Sequence, residues 1–484
     1  MIQLLLILLG SLGIWGIGLT LAQFVLRPSS KASQTKSVPA KSDLAELLGL
    51  GLVSGFGVNA LFYLIWGIAG LQYSRGLALS WMSLGIVLGA ATLFVRYRSS
   101  QRETADALKP TSAAERDFRH LCLGILLFLS VSTLFQTLIT PQRFWDERAI
   151  FGLKSIVIFQ EATIQSDALL DPDFVQYHPK YPLLIPLNQA HFYLLMGEVN
   201  DRWSKVLFPL LYLGMVLTFL GVLLRSTQQV VRSWLFALML ATVPAMVPWE
   251  YGFISGQADG PIACFHTVTL LYLWSFLYAK SLASSESSVL ARSPFIAGLS
   301  AGMTIFTKDE GIAFFLIDLI AIVIVTALYF RNQLISLLIS LLQFGFMTVI
   351  VVAPWFSHRS QLPSTTEMTY FNRMQITTLT EGVSALSWAI KHLFQVMFLE
   401  AGKWGLQWWA LMLSLCAFPK TAIKPHQLFL LLNILGALAA LIIAGMIAPT
   451  PVQEHIGGAS LRFLLQISGG AMLFIAGQWM CEQD

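Results

Sequence analysis

Charge is scarce in this chain. Asp, Glu, Lys and Arg make up 12% of its 484 residues, while 56% are hydrophobic. A soluble domain carries about 25% charged residues. The shortage excludes a water-soluble enzyme and a nucleic-acid surface, because a net charge of +4 is modest and the basic residues lie mainly between apolar runs. Cysteine is scarce too. Cys122, Cys264, Cys416 and Cys481 are far apart and form no CxxC pair, so neither a zinc site nor a disulfide framework is expected. They read as small apolar packing residues. No GxxxxGK[ST] and no strand–GxGxxG–helix unit occurs. No basic stretch precedes the first apolar run, Ile2 to Val25, whose first basic residues (Arg27, Lys31) follow it. A cleaved signal has the opposite order, so a retained helix with its N-terminus outside is expected. No internal repeat suggests the inverted halves of a transporter.

Long apolar runs are abundant. Many reach the roughly 20 residues that cross a bilayer core, and they are continuous, which excludes alternating β-barrel strands. The expected fold class is an all-α polytopic membrane protein. The runs are 2–26, 44–72, 76–95, 120–140, 206–224, 234–249, 258–279, 294–307, 311–330, 333–356, 406–418, 427–447 and 461–479, or about 13 transmembrane helices. Gly51 and Gly55 form a GxxxG that predicts close helix packing.

Lys and Arg set the expected orientation. Segments 27–43 (Arg27, Lys31, Lys36, Lys41) and 96–119 (Arg96, Arg98, Arg102, Lys109, Arg116, Arg119) are basic. Alternation then places 225–233, 280–293 and 419–426 on the same cytoplasmic side, and all are basic. The long loops 141–205 and 357–405 fall outside, with the C-terminus in the cytoplasm. The first outer loop opens on Trp145, Ala149, Leu153, Ile156 and Val157 at helical spacing, with Glu147, Lys154 and Glu161 opposite. That pattern predicts an amphipathic helix flat in the interface. A second stretch, Tyr181 to Met196, is broken by prolines and reads as a shallow juxtamembrane helix.

Five polar groups mark the outer ends of apolar runs: Asp146–Glu147, Tyr177–Pro186 (YHPKYPLLIP), Gly256–Pro261 (GQADGP), Phe306–Gly311 (FTKDEG) and Glu454–Phe463 (EHIGGASLRF). Together they imply a polar cavity at the outer face. A carboxylate there can accept the proton of a nucleophile, and Arg or Lys can hold a phosphate. The activated building blocks available outside a cell are lipid-linked, such as polyprenyl phosphates. A departing phosphate is already a stable anion, so one base and several cations suffice. Each residue also has a plainer reading. Asp146 and Asp259 suit helix caps. Glu147 suits a solvated face, His178 a turn, and Lys180 a snorkelling cation. Lys308, Asp309 and Glu310 suit a tight turn. His455 and Arg462 suit an ordinary polar helix end.

In their order these motifs resemble the GT-C integral-membrane glycosyltransferases. The resemblance is greatest to the bacterial branch related to protein O-mannosyltransferases and the aminoarabinose transferase of lipid A. It runs from WDERAIFGLK through HPKYPLLIP and GQADGPIA to GLSAGMTIFTKDEG, and covers roughly residues 119–480. It implies a GT-C fold and inversion at C1 by single displacement, with Asp146 as the catalytic base and Glu147 beside it. It implies Lys180, Lys308 and Arg462 as donor-phosphate ligands, and His178, Tyr181, Asp259, Glu310 and His455 as further substrate-binding residues. Some relatives use a divalent metal (Mg or Mn), for which Asp146, Glu147 and Asp259 could supply oxygens. The implied partners are a polyprenyl-phosphate sugar donor, a lipid, glycan or protein acceptor, and the bilayer of the plasma (inner) membrane. The division expected is an added three-helix unit (1–118), a catalytic module (119–356), and an outer loop with C-terminal helices (357–484). The family's acidic motif follows its first transmembrane helix, whereas three helices precede that one here. Many members end in a soluble outer domain, whereas this sequence closes on QWMCEQD; recognition of the acceptor is then expected from the long loops or another protein. A transporter or flippase, and a glycan polymerase or ligase, are the competing readings.

Overall fold

Continuous runs of Leu, Ile, Val and Phe satisfy their backbone groups without water by folding as helices. The structure, a computed structural model, describes residues 2–26, 40–103, 112–247, 250–282, 288–363 and 372–481, and these contain helices and no strand. The basic segment 27–39, Lys109 and the C-terminal residues 482–484 lie outside the described residues.

The helices run α1 (Ile2–Leu26), α2 (Ala40–Ile68), α3 (Arg75–Glu103), α4 (Ala113–Ile139), α5 (Leu153–Glu161), α6 (Leu184–Met196), α7 (Leu207–Thr227), α8 (Val230–Ala241) and α9 (Asp259–Ser281). They continue with α10 (Ser288–Thr307), α11 (Glu310–Tyr329), α12 (Leu334–Arg359), α13 (Ile376–Val383), α14 (Leu386–Phe394), α15 (Gln407–Ala417), α16 (Pro425–Ile447) and α17 (Val452–Met480). All thirteen expected runs fall on helices. Among the described residues, however, ten helices are long and apolar enough to cross a membrane. An eleventh is added if the bent pair Ile376–Val383 and Leu386–Leu399, kinked by 61°, counts as one span. The expected run 234–249 stops being α-helical at Ala241, with Pro244 opening a 3₁₀ turn just beyond. The run 406–418 forms the short α15.

Helix α9 is the axis of the bundle. Every residue from Asp259 to Tyr278 is buried, packed by α7, α10, α16 and α17. The first three helices join the same core. Glycines let α1 approach its neighbours: a Cβ on Gly18 would strike the backbone of Gly51 and Gly55, and one on Gly16 the backbone of Gly85. Polar bonds stitch α2 to the later helices, with Asn59 Nδ2 donating to Asn188 Oδ1 at 2.9 Å and Tyr63 Oη 2.8 Å from His191 Nδ1.

Helix ends gather at two opposite faces. One holds Glu46, whose carboxylate takes both Nε (2.8 Å) and Nη2 (3.1 Å) of Arg225 and the hydroxyl of Tyr272. Replacing Glu46 by Gln removes the anion from a buried pair. The expected loss is about 1.5–3 kcal/mol of stability, read as a lower thermal unfolding midpoint of the lipid-reconstituted protein. The other face holds the C-terminal ends of α4, α10 and α12 and the N-terminal ends of α9 and α11.

Two expectations at that face need correction. The flat amphipathic helix is instead a π-helical turn, Asp146–Gly152, running into α5. The wider turn shifts the helical phase, so Glu147 and Lys154 are buried while Trp145 is 60% exposed, against expectation; Ala149 is buried and Glu161 exposed, as expected. The Tyr181–Met196 stretch forms α6 in the protein interior and not an amphipathic surface helix. Every residue of α6 is buried, and α6 packs on α2 and α5. Cys122, Cys264 and Cys481 are buried as expected, whereas Cys416 is exposed.

Candidate functional site

Asp259 is the centre of a charged cluster where four helices meet. It lies in the first turn of α9, behind the loop residues Gly256–Ala258. It caps nothing with its side chain; the cap position is Ala258. Its carboxylate is fully buried and takes three donors: Arg462 Nε at 3.0 Å, Lys308 Nζ at 3.1 Å and Gln466 Nε2 at 2.8 Å. Arg462 then reaches Asp146 through Nη2 at 2.7 Å. Lys308 closes the row on Glu310 at 2.7 Å. Residues 146, 259, 308, 310 and 462 thus form one alternating chain of acids and bases from four distant parts of the sequence.

Burial differs along the chain, and this sets what each member can do. Asp259 is inaccessible and Lys308 nearly so, whereas the side chains of Asp146, Arg462 and Glu310 are 22%, 24% and 36% exposed. Asp146 is therefore an open carboxylate, and the accessible flank of Arg462 offers an uncommitted Nη1 among the described residues. The ring of Tyr251 covers the guanidinium at 5.6 Å. Burial and the Arg462 charge oppose the ammonium of Lys308, but Asp259 and Glu310 outweigh them and hold its pKa above the usual lysine value.

A second pair lies alongside. Arg359, at the end of α12, grips both oxygens of Asp309 at 2.7 and 2.8 Å. Burial nonetheless keeps the Asp309 carboxyl above its ordinary range. Lys154 is fully buried beneath the loop, and its Nζ donates to the carbonyls of His178 (2.5 Å) and Tyr181 (3.3 Å). Burial lowers its pKa from 10.5 to about 7. The folded state thus binds fewer protons than the unfolded state between about pH 7 and 10.5. Stability rises with pH across that window, and the full penalty, a few kcal/mol, applies below it. Lys154→Met should flatten this rise, as tested by unfolding midpoints across alkaline pH.

The structure gathers most of the expected residues, though not all in the expected roles. Asp146, Asp259, Lys308, Glu310 and Arg462 are in contact. Tyr181 and His178 stack at 5.0 Å beside them, with His178 in the left-handed conformation (φ 54°) that a turn residue takes. Burial, then Lys154, lowers the His178 pKa, while Asp146 opposes both. Glu147 plays another part. It is neither solvated nor in the cluster. It is buried and accepts the backbone N–H groups of Arg143, Phe144 and Gly256, tying the π-turn to the loop before α9. Lys180 is half-buried and has no ion pair among the described residues. His455 sits half-buried on the first turn of α17. Sequence reasoning missed Gln466, Arg359, Tyr251 and Lys154. Gln466 was findable, since it follows Arg462 by four residues on one helical face.

A divalent ion does not fit these donors. Among the described residues no three His, Cys, Asp or Glu side chains converge, and cations and an amide already occupy both oxygens of Asp259.

Comparison with family models, curated proteins and solved structures finds no match for this chain. The functional argument therefore rests on the cluster's own chemistry. A partly exposed carboxylate beside a guanidinium with a free edge can deprotonate a hydroxyl or amine and bind an oxyanion nearby.

Proposed function

We propose that this chain is a membrane glycosyltransferase of the GT-C type that takes its sugar from a polyprenyl-phosphate donor. The observation that carries the reading is Arg462, joined to Asp146 on one side and to the Asp259–Lys308 pair on the other. In this reading the chain crosses the plasma membrane many times, the N-terminus lies outside, and the cluster faces the non-cytoplasmic side. Ten or more apolar helices make a multi-pass membrane protein, and the basic loops favour this orientation.

The transfer needs three events. Asp146 accepts the proton of the acceptor's nucleophile. The freed electron pair attacks C1 of the sugar from the face opposite the phosphate, so C1 inverts. The C1–O bond breaks, and its electrons leave on the lipid phosphate. Arg462 Nη1 and the ammonium of Lys308 take up that charge, the first as a hydrogen-bond donor and the second as a nearby cation. Buried Asp259 holds both cations in position.

The deciding experiment is mass spectrometry of lipid-linked sugars and envelope glycans in cells with and without the gene. A polyprenyl-linked sugar should accumulate in the deleted strain while one glycan modification disappears. Unchanged pools of both would refute the transfer reading. One observation favours a transporter as the second reading: His266 and Asp318 form an ionisable pair well inside the bundle.

A further inference from the structure

The segment 372–399 packs on the bundle by one side only. At its start, Arg373 Nε donates to the Ile447 carbonyl at 2.9 Å. In α13, a Cβ on Gly382 would strike Met446. Both contacts fall on the last two residues of α16, so α13 sits at the end of the bundle that carries the charged cluster. After a 61° bend, α14 leans on α17, where His392 Nε2 is 3.3 Å from Ser460 Oγ. Ser460 precedes Arg462 by two residues. Gly382, Ala385, Ala389, Leu393 and Val396 are buried against the protein. With eight residues in α13 and nine in α14, neither helix reaches the roughly 20 that cross a bilayer core.

The opposite, exposed sides are split lengthwise. Ile376, Val383, Ile390 and Phe394 are each more than half exposed. In α13, Ile376 and Val383 lie seven residues apart, within about 20° of each other around the helix. Thr377, Thr380 and Glu381, also exposed, occupy the adjoining edge. In α14, Ile390 and Phe394 form one edge of the exposed side, and Ser387, Lys391 and Gln395 form the other. A surface in water would be polar throughout. A surface crossing the core would be apolar throughout, as on α11, where the exposed residues from Leu316 to Leu328 are Leu, Ile, Val and Ala alone. An exposed side that is half apolar and half polar belongs at the boundary between acyl chains and head groups. The apolar edge also continues a membrane-facing surface. α16 is long enough to cross, and it exposes Leu435 and Ile443 on the way to Met446, where Gly382 meets it.

We infer that α13 and α14 form an interfacial element that docks on bilayer lipid at the cluster face, and that they are not an eleventh span. Ile376, Val383, Ile390 and Phe394 enter the acyl region. Glu381, Lys391 and Gln395 stay among the head groups. Because His392 ties α14 to Ser460, the element sets the membrane boundary close to Arg462, and the charged cluster opens at head-group level. The docking does not depend on the transfer reading and is tested without measuring transfer.

The full chain, with the exposed Cys416 replaced by Ser, is reconstituted in phosphatidylcholine bilayers. It carries a nitroxide on one new cysteine at a time: Ile376→Cys, Ile390→Cys, Thr377→Cys or Lys391→Cys. Collision with dissolved oxygen reports hydrocarbon, and collision with a nickel chelate reports water. The ratio of oxygen to nickel collisions should be several-fold higher at positions 376 and 390 than at 377 and 391. The depth of the first two should be about 5–10 Å into the boundary between head groups and acyl chains. Four labels equally open to the nickel chelate would put the segment in water. A label at position 390 near the bilayer centre would make the bent pair a span. Labels at 376 and 390 shielded from both reagents would mean that protein covers them. Each of these three results overturns the inference.

Discussion

Replacing Asp259 by Ala should collapse the charged cluster, with a cost of about 3–5 kcal/mol. Asp259 is the anion that Arg462 and Lys308 share, and it is fully buried. Without it, two cations face each other, and each has one remaining carboxylate, Asp146 for Arg462 and Glu310 for Lys308. Removing one member of a buried pair costs far more than the pair adds, because the partner's charge stays desolvated. The loss should appear as a lower unfolding midpoint in a lipid environment. It should also weaken binding of a polyprenyl-phosphate probe by more than about 100-fold, the equivalent of 3 kcal/mol. The double variant Asp259→Ala, Lys308→Met removes one stranded cation and should recover part of the stability but not the binding. If Asp259→Ala binds the probe as the wild type does, the two cations do not need their shared anion, and Asp259 has no part in positioning them.

The architecture was legible because apolar length is a one-dimensional signal. The long apolar runs fell on helices, ten or eleven of them long enough to cross a membrane among the described residues. Lengths were less legible at α8, where Pro244 lies three residues past the helix end. The charged cluster was legible in part because an ionisable side chain in a membrane protein stands out, which marked Asp146, Asp259, Lys308, Glu310 and Arg462. What the sequence hid was phase and burial. A π-helical turn after Trp145 rotates everything downstream, so Lys154, read as solvated, lies beneath the loop. Glu147 looked like a second catalytic acid because it adjoins Asp146. Adjacent residues on a helix point apart, and Glu147 turns inward to backbone donors. Gln466 and His266 escaped notice for the opposite reason: each is a single polar residue within an apolar run, and its partners lie on other helices.

Replacing Asp146 by Asn is the sharper test of chemistry, because it changes one proton acceptor and almost no volume. Asp146 is on the open side of the cluster, and its link to the rest is one bond from Arg462 at 2.7 Å. An asparagine oxygen can still accept that bond, and Asp259 still holds Arg462 through Nε. Folding and donor binding should therefore remain near wild type. The amide cannot take a proton from the acceptor nucleophile, so turnover should fall by 10²–10⁴-fold, the typical contribution of a positioned general base. The measurement is transfer from a defined polyprenyl-phosphate sugar to isolated envelope acceptor, with donor binding followed in parallel. Lost turnover with retained binding places the proton transfer at Asp146. Equal losses in both would mean that Asp146 serves to orient Arg462 toward the phosphate, and full turnover would move the base elsewhere. The partly exposed carboxylate of Glu310, paired with Lys308, would then be the next acid on the same open face to replace.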